Sequence, residues 1–304
     1  MRFNRSSCDK CLDVCPVKAI WIDDQGLHID RDACTGCMLC NSICPADGLS
    51  IQNFNFQSVL AKLKDLQSPV LSCHVVADNQ AHIKIPCLGL LSETHLAVMS
   101  ILAEAPVQLN LTACKKCVNG VVVNKLQKSL FAVAAKLMNG SAPKIKLIEE
   151  KADLHFRPIS YTRRGFFDAL RHMDFPETIG YSGGLPAGDK PKAYADKAVP
   201  DKIKMLNKIL PMLPETLKNW VYENYYYHLR VDSNCDLCLS CVMICPTGAL
   251  KIGGDGSTGK IVFSSAFCNG CNLCAEFCSK NSIDIIKGFS GKNPSAYASC
   301  EAAT

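Results

Sequence analysis

Of the 304 residues, 20 are cysteine, and most of them fall into one repeated pattern. Cys34, Cys37, Cys40 and Cys44, closed by Pro45, have the spacing C-x2-C-x2-C-x3-C-P. Thiolates are soft ligands, and three of them at these intervals can wrap one corner of an iron–sulfur cube. The run returns complete at Cys235, Cys238, Cys241 and Cys245 with Pro246. It returns again at Cys268, Cys271, Cys274 and Cys278, where Ser279 replaces the proline. A fourth copy, Cys8, Cys11, Cys15 and Pro16, lacks its first cysteine, and Arg5 holds that position. Structural zinc favours paired C-x2-C knuckles over a third cysteine at x2 and a fourth at x3. The chemistry these residues could do is therefore one-electron chemistry on iron–sulfur clusters.

A short apolar echo follows both runs of the first pair, Ala19-Ile20-Trp21-Ile22 and Gly48-Leu49-Ser50-Ile51. With these pseudo-repeats, residues 1–54 and 232–288 resemble bacterial-type dicluster ferredoxin modules. That resemblance implies crossed ligation, in which the last cysteine of each run serves the neighbouring cluster. It assigns Cys34, Cys37, Cys40 and Cys15 to one [4Fe–4S] cluster. Cys235, Cys238, Cys241 and Cys278 hold a second, and Cys268, Cys271, Cys274 and Cys245 a third. Cys8, Cys11 and Cys44 are left one ligand short. A [3Fe–4S] centre needs only three thiolates. A [4Fe–4S] cluster would need an unknown fourth ligand, from a distant cysteine, another side chain or a partner. A decayed, empty site is the plain alternative. Arg5 beside such a centre would make its potential less negative, since net charge tunes it.

The wider layout is similar to uncharacterised polyferredoxin-like 4Fe-4S proteins associated with formate dehydrogenases. The shared stretches are Cys8-Asp9-Lys10-Cys11-Leu12-Asp13-Val14-Cys15-Pro16 and Cys235-Asp236-Leu237-Cys238-Leu239-Ser240-Cys241. It implies a subunit of an oxidoreductase complex whose partners are redox proteins of dehydrogenase, hydrogenase or ferredoxin type.

Between the modules, residues 55–150 alternate strand and helix patterns. Strands are expected at Val70–Cys73, Ile83–Cys87, Val107–Leu111 and Ile145–Ile148. Helices are expected over His95–Ala105 and Val122–Met138, the second capped by Asn139-Gly140. This alternation implies a parallel, Rossmann- or flavodoxin-like sheet. The fold class is α+β, with two dicluster modules flanking a small α/β domain. Cys73, Cys87, Cys114 and Cys117 fall at strand ends, where such sheets bind ligands. They could hold a fifth cluster or zinc, complete the short site, or be plain core thiols. His74 and His82 nearby read as packed or solvated rather than as ligands. The layout of these four cysteines is loosely similar to the iron–sulfur delta subunit of methanogen hydrogenases. No Gly-x-Gly-x-x-Gly run marks a dinucleotide site.

Residues 151–231 read as a helical connector. It contains a basic segment at 161–167, a Gly-, Pro- and Lys-rich linker at 181–200, and two amphipathic helices. Ile203, Leu206 and Leu210 share a face of the first. Trp220, Tyr222, Tyr225, Tyr226 and Tyr227 line the second, for packing between modules or contact with a membrane surface. Residues 289–304 read as a tail with a free thiol at Cys300.

Disulfides explain such cysteine counts in secreted chains. The opening MRFNRSSCDKC, however, has no apolar signal segment. No apolar run reaches the roughly 20 residues of a membrane span. A cytoplasmic location is expected. The formal charge of +5 treats every thiol as neutral. Four cubane sites would bring it to about −3, because coordinating thiols are deprotonated. Nucleic-acid binding is not expected. No acid–base pair or nucleophile constellation is legible, so the expectation is a non-catalytic electron carrier. A redox-sensing or maturation protein is the alternative.

Overall fold

The computed structural model of the chain describes residues 7–52, 54–64, 66–76, 80–137, 142–158, 197–253 and 260–300. Arg5, Asn139-Gly140, the basic segment 161–167, most of the linker (181–196) and residues 254–259 lie outside the described residues.

The chain has a mixed helix-and-sheet architecture, with a parallel sheet between two ferredoxin-like ends. In the first module, helix α1 (Lys10–Asp13) leads to the antiparallel hairpin of β1 (Ile20–Asp23) and β2 (Gly26–Ile29). Helix α2 (Leu39–Ile43) carries the second cysteine run. Both helices are a single turn, so tertiary contacts and ligands, not intrinsic propensity, must hold them.

The middle domain begins with α3 (Phe56–Lys64) and then builds four strands: β3 (Val70–Cys73), β4 (Ile83–Ile85), β5 (Val107–Asn110) and β6 (Ile145–Ile148). All pairings are parallel, in the order β4-β3-β5-β6. Every residue of β3 and β5 is buried, as expected for a parallel sheet covered on both faces. Helices α4 (Glu93–Leu102) and α5 (Val122–Lys136) supply part of that cover.

Five element ends differ from expectation: β4 stops at Ile85 and β5 at Asn110, and the other three are helix ends. Helix α4 starts two residues before His95, because Ser92 caps it. The Ser92 hydroxyl accepts from the His95 N–H (3.3 Å), and His95 Nδ1 accepts from the Ser92 N–H (3.2 Å). Histidine thus does the work usually given to Glu or Gln in a capping box. The helix stops at Leu102, where Ala103 turns extended. Helix α5 ends at Lys136.

The expected connector is part of the core. Helices α6 (Asp201–Ile209) and α7 (Glu215–Tyr225) bury Leu206, Trp220 and Val221 in the hydrophobic core that also contains Leu96, Leu109 and Leu126. The Trp220 indole N–H donates to the Lys136 carbonyl. The Tyr226 hydroxyl donates to Asn207 Oδ1 (2.6 Å), and Asn207 Nδ2 donates to the Ala266 carbonyl (2.8 Å). The aromatic stripe is packing, not a free surface. Tyr227 is not helical: it opens β7 (Tyr227–Val231), which pairs antiparallel with β10 (Ile283–Lys287). The linker's last residues are also pinned, with the Ala198 N–H donating to the Pro246 carbonyl (3.0 Å).

The last module adds α8 (Ser240–Ile244), β8 (Leu250–Gly253), β9 (Lys260–Phe263) and α9 (Leu273–Glu276). The supposed tail contributes β11 (Ala298–Ser299), which pairs with β9 and closes a three-stranded sheet. The Cys300 thiol packs against this module's core. Burial pushes it up to about 12, and the charge of Cys241 adds to the rise.

Candidate iron–sulfur sites

The backbone of the cysteine runs is unlike the rest of the chain. Among the described residues, the non-glycine residues with positive φ are Lys18, Met38, Asp47, Leu237, Leu239, Asn272 and Asn281, and all of them lie in these runs or within three residues of a run's last cysteine. In each complete run the second cysteine is flanked on both sides by left-handed residues. These are Gly36 and Met38 around Cys37, Leu237 and Leu239 around Cys238, and Gly270 and Asn272 around Cys271. Such alternation turns successive N–H groups to one side and forms an anion-binding nest, as many iron–sulfur sites do. The cost is roughly 1 kcal/mol or more for each non-glycine residue. A bound polyanionic cluster is the group that would offset it.

The short run lacks this geometry. Asp9, after Cys8, has φ −129°. Its second half is intact, because the third residue past the last cysteine is left-handed in all four runs: Lys18, Asp47, Gly248 and Asn281. That turn aims an N–H at sulfur. Ala19, Gly48 and Ser282 donate to the Sγ atoms of Cys15, Cys44 and Cys278, each at 3.3 Å. The irregularity is thus confined to the neighbourhood of Cys8.

Two hollows in the last module show which thiols converge. Cys235, Cys238, Cys241 and Cys278 line one. Cys245, Cys268, Cys271 and Cys274 line the other. Burial pushes Cys241 up to about 11 and Cys268 to about 12, and raises Cys274, with charges of neighbouring thiols adding to each. A set of buried neutral thiols that must shed protons together is suited to a metal cluster. The Tyr227 ring packs against Gly270, beside Cys271: a Cβ on Gly270 would stand 2.3 Å from it.

In the first module, burial raises Cys37, and the charges of Cys15 and Cys34 act on it. Burial raises Cys40 to about 11, with Cys37 and Cys34 adding. Burial also raises Cys11, whose charged neighbours are Cys44 and Cys8. The thiols therefore sort into a set around Cys37 that includes Cys15 and a set around Cys11 that includes Cys44.

Neighbouring sets meet. The Ser7 N–H donates to Glu276 Oε1 (2.8 Å), and Asn269 Nδ2 donates to the Pro45 carbonyl (3.3 Å). The charge of Cys8 reaches Cys271. The short site thus faces the Cys268 set of the last module.

Three functional residues escaped sequence reasoning. Lys202, on α6, buries its ammonium beside Cys44. It donates to the carbonyls of Cys44 (2.7 Å) and Asn41 (2.9 Å) and pairs with Asp47 (2.8 Å). Glu276 and Asn119 tie separate segments together, and neither carries a sequence signal. Lys202 alone had a hint, a lysine on the apolar face of Ile203 and Leu206.

Cys73, Cys87, Cys114 and Cys117 sit at the carboxyl ends of β3, β4 and β5, as their positions implied. His82 is not a ligand, since Nδ1 accepts from the Val70 N–H (3.0 Å) and Nε2 lies 2.8 Å from the Arg157 carbonyl. His74 is exposed. Among the described residues no helix is long and apolar enough to cross a membrane.

The 4Fe-4S dicluster domain profile matches residues 5–47 and 234–282. Ferredoxin 7Fe of Hydrogenibacillus schlegelii is 31% identical over 58 residues, 18% of this chain and 74% of that protein. The chain belongs to the ferredoxin family of 4Fe-4S dicluster proteins. A Methanothermococcus thermolithotrophicus ferredoxin is 33% identical over 46 residues, 15% of this chain and 77% of that protein. The Escherichia coli (strain K12) uncharacterized ferredoxin-like protein YdhX is 41% identical over 49 residues, 14% of this chain. That match spans about a fifth of YdhX (22%). The two matched regions are ferredoxin-like 4Fe-4S dicluster domains.

Proposed function

We propose that this ferredoxin-family chain is the electron-transfer subunit of an oxidoreductase complex and joins two redox partners through its two modules. The contact between the short site and the Cys268 set carries this reading. A protein that only stored or reported on clusters would gain nothing from holding two modules face to face. One-electron exchange is the chemistry the clusters supply when bound. The chain's part is to fix spacing and surroundings. Glu276 and Asn269 clamp the modules, α6 and α7 embed both in the middle domain's core, and Lys202 places a cation beside Cys44. A fixed clamp favours conduction over the swinging arm that a loose connector would permit.

In the assignment we favour, Cys34, Cys37, Cys40 and Cys15 hold one [4Fe–4S] cluster, and the last module holds two by crossed ligation. Cys8, Cys11 and Cys44 hold a [3Fe–4S] centre. The φ of Asp9 supports that choice, because the three-cubane nest is missing there. One similar protein is named a 7Fe ferredoxin, an iron total that one four-iron and one three-iron centre would give.

The test is anaerobic stopped-flow reduction by a low-potential donor, followed by transfer to an acceptor. Glu276→Ala/Asn269→Ala should slow transfer between the modules while each still reduces. Equal rates in the variant would defeat the clamp's role. Cluster loss on mild oxidation with a linked change in partner binding would instead favour a sensor.

A further inference from the structure

Four thiols of the middle domain remain outside both ferredoxin modules. Strand β3 lies between β4 and β5, so its carboxyl end is flanked by theirs. Cys73 is the last residue of β3, level with Ile85 of β4, and Cys87 follows two residues later. Cys114 and Cys117 sit in the turn that leaves β5, where the Cys114 N–H donates back to the Leu111 carbonyl (2.8 Å). The turn closes tightly: a Cβ on Gly120 would meet the Cys114 carbonyl oxygen at 2.8 Å. Order reverses between β3 and β5 in this sheet, and such a switch point is where open α/β sheets bind ligands.

The loop also treats its sulfur as a ferredoxin run does. The Asn119 N–H donates to Cys117 Sγ (3.4 Å), alongside the 3.3 Å bonds to Cys15, Cys44 and Cys278. Asn119 is 3% exposed, and its Oδ1 has no hydrogen-bond partner among the described residues. The four thiols lie within electrostatic reach of one another. The charges of Cys73, Cys87 and Cys117 act on Cys114, which burial first pushes up to about 12. Cys37 belongs to the same neighbourhood, acting on Cys87. The contact is direct: a Cβ on Gly89 would stand 2.1 Å from the Cys37 carbonyl oxygen, and Asn119 Nδ2 donates to the Thr35 carbonyl (3.0 Å).

We propose that Cys73, Cys87, Cys114 and Cys117 hold a fifth iron–sulfur cluster, seated on the carboxyl rim of the parallel sheet and against the loop of Cys37. Zinc is the competing occupant of four thiolates. Among the described residues no three Cys, His, Asp or Glu side chains are arranged to hold a single metal ion, in this domain or in the ferredoxin runs. A polynuclear cluster spreads its four thiolates over two or four irons, so they stand further apart than the ligands of one ion. The proposal extends the electron-transfer reading: the middle domain becomes a further entry or exit point, next to the Cys37 set.

The test is metal and acid-labile sulfide analysis of the anaerobically reconstituted full chain, with EPR of the reduced protein. Wild type should hold more iron than the roughly 15–16 atoms of four ferredoxin-type sites. Cys114→Ser/Cys117→Ser should lose about 2–4 iron atoms with matching sulfide, as a [2Fe–2S] or [4Fe–4S] centre requires. Loss of the centre should also sharpen the Cys37 cluster's EPR signal by removing its magnetic neighbour. Iron of about 15–16 in wild type, or about one zinc per wild-type chain, overturns the proposal even if the variant does not fold. Iron well below about 15 would instead undermine the four ferredoxin sites.

Discussion

Replacing Lys202 with Met keeps the aliphatic stem and deletes the ammonium. The lysine side chain is 10% exposed and its partner Asp47 19% exposed. Deletion leaves the carbonyls of Cys44 and Asn41 without this donor and strips Asp47 of its counter-charge. Breaking a buried pair from one side costs about 3–5 kcal/mol. Asp47 keeps one bond, since its Oδ2 accepts from the Lys202 backbone N–H (3.1 Å), and it retains some water. The lower figure, about 3 kcal/mol, is therefore expected. Anaerobic guanidinium unfolding, followed by the cluster absorbance, measures it. If unfolding proves irreversible, the rate at fixed denaturant should rise by up to about 100-fold, at about 1.4 kcal/mol per decade. Asp47→Asn in the same chain should recover part of the loss, because no bare carboxylate then remains. Removing a positive charge near Cys44 should also make the Cys8/Cys11/Cys44 centre's potential more negative. A single variant within about 0.5 kcal/mol of wild type, against the expected cost of a broken buried pair, would refute this account of Lys202. So would a double variant no more stable than the single one.

Four further outcomes are expected. Cys44→Ala should remove the centre it shares with Cys8 and Cys11 and leave the Cys34/Cys37/Cys40/Cys15 cubane signal in EPR; loss of only the cubane would mean the ligands are not crossed. Gly89→Ala should push the middle domain off the Cys37 loop and cost at least about 1–3 kcal/mol, read as a lower denaturation midpoint. Burial, with help from the charges of Lys202 and Lys125, holds the His95 imidazole down to about 3, against about 6.5 unfolded. The unfolded chain therefore binds the extra proton between these values, so stability is complete above about pH 6.5 and falls as pH drops towards 3. His95→Gln, which keeps an acceptor for the cap, should show a shallower acid loss in matched denaturation curves. Leu237 is half-exposed in a left-handed conformation (φ 55°), so Leu237→Asn should relieve up to about 1 kcal/mol, detectable as a higher midpoint.

The two dicluster regions were legible because their cysteine spacing is written directly into the chain. So was the parallel sheet, whose apolar strands at 70–73 and 145–148 alternate with helix patterns. What escaped depends on contacts between distant segments. Tyr227 fits a helical aromatic stripe as well as it fits a strand, and only pairing with Lys287 decides. His95 as a capping partner needs the Ser92 geometry, not a motif. Leucines at 237 and 239 in left-handed turns contradict local propensity, and ligand demands outweigh that preference. Lys202 and Glu276 act on residues more than 150 positions away, which no local pattern encodes.

The Ser7–Glu276 bond joins residues 269 positions apart. Ribosomes add about 5–20 residues per second, so Glu276 emerges roughly 15–50 s after Ser7. Through that interval the face of the nascent chain bearing Cys8 has no opposing wall. Iron delivered to the first module during synthesis would meet an open site. The last module's arrival supplies that wall, so the two modules can meet only late in synthesis.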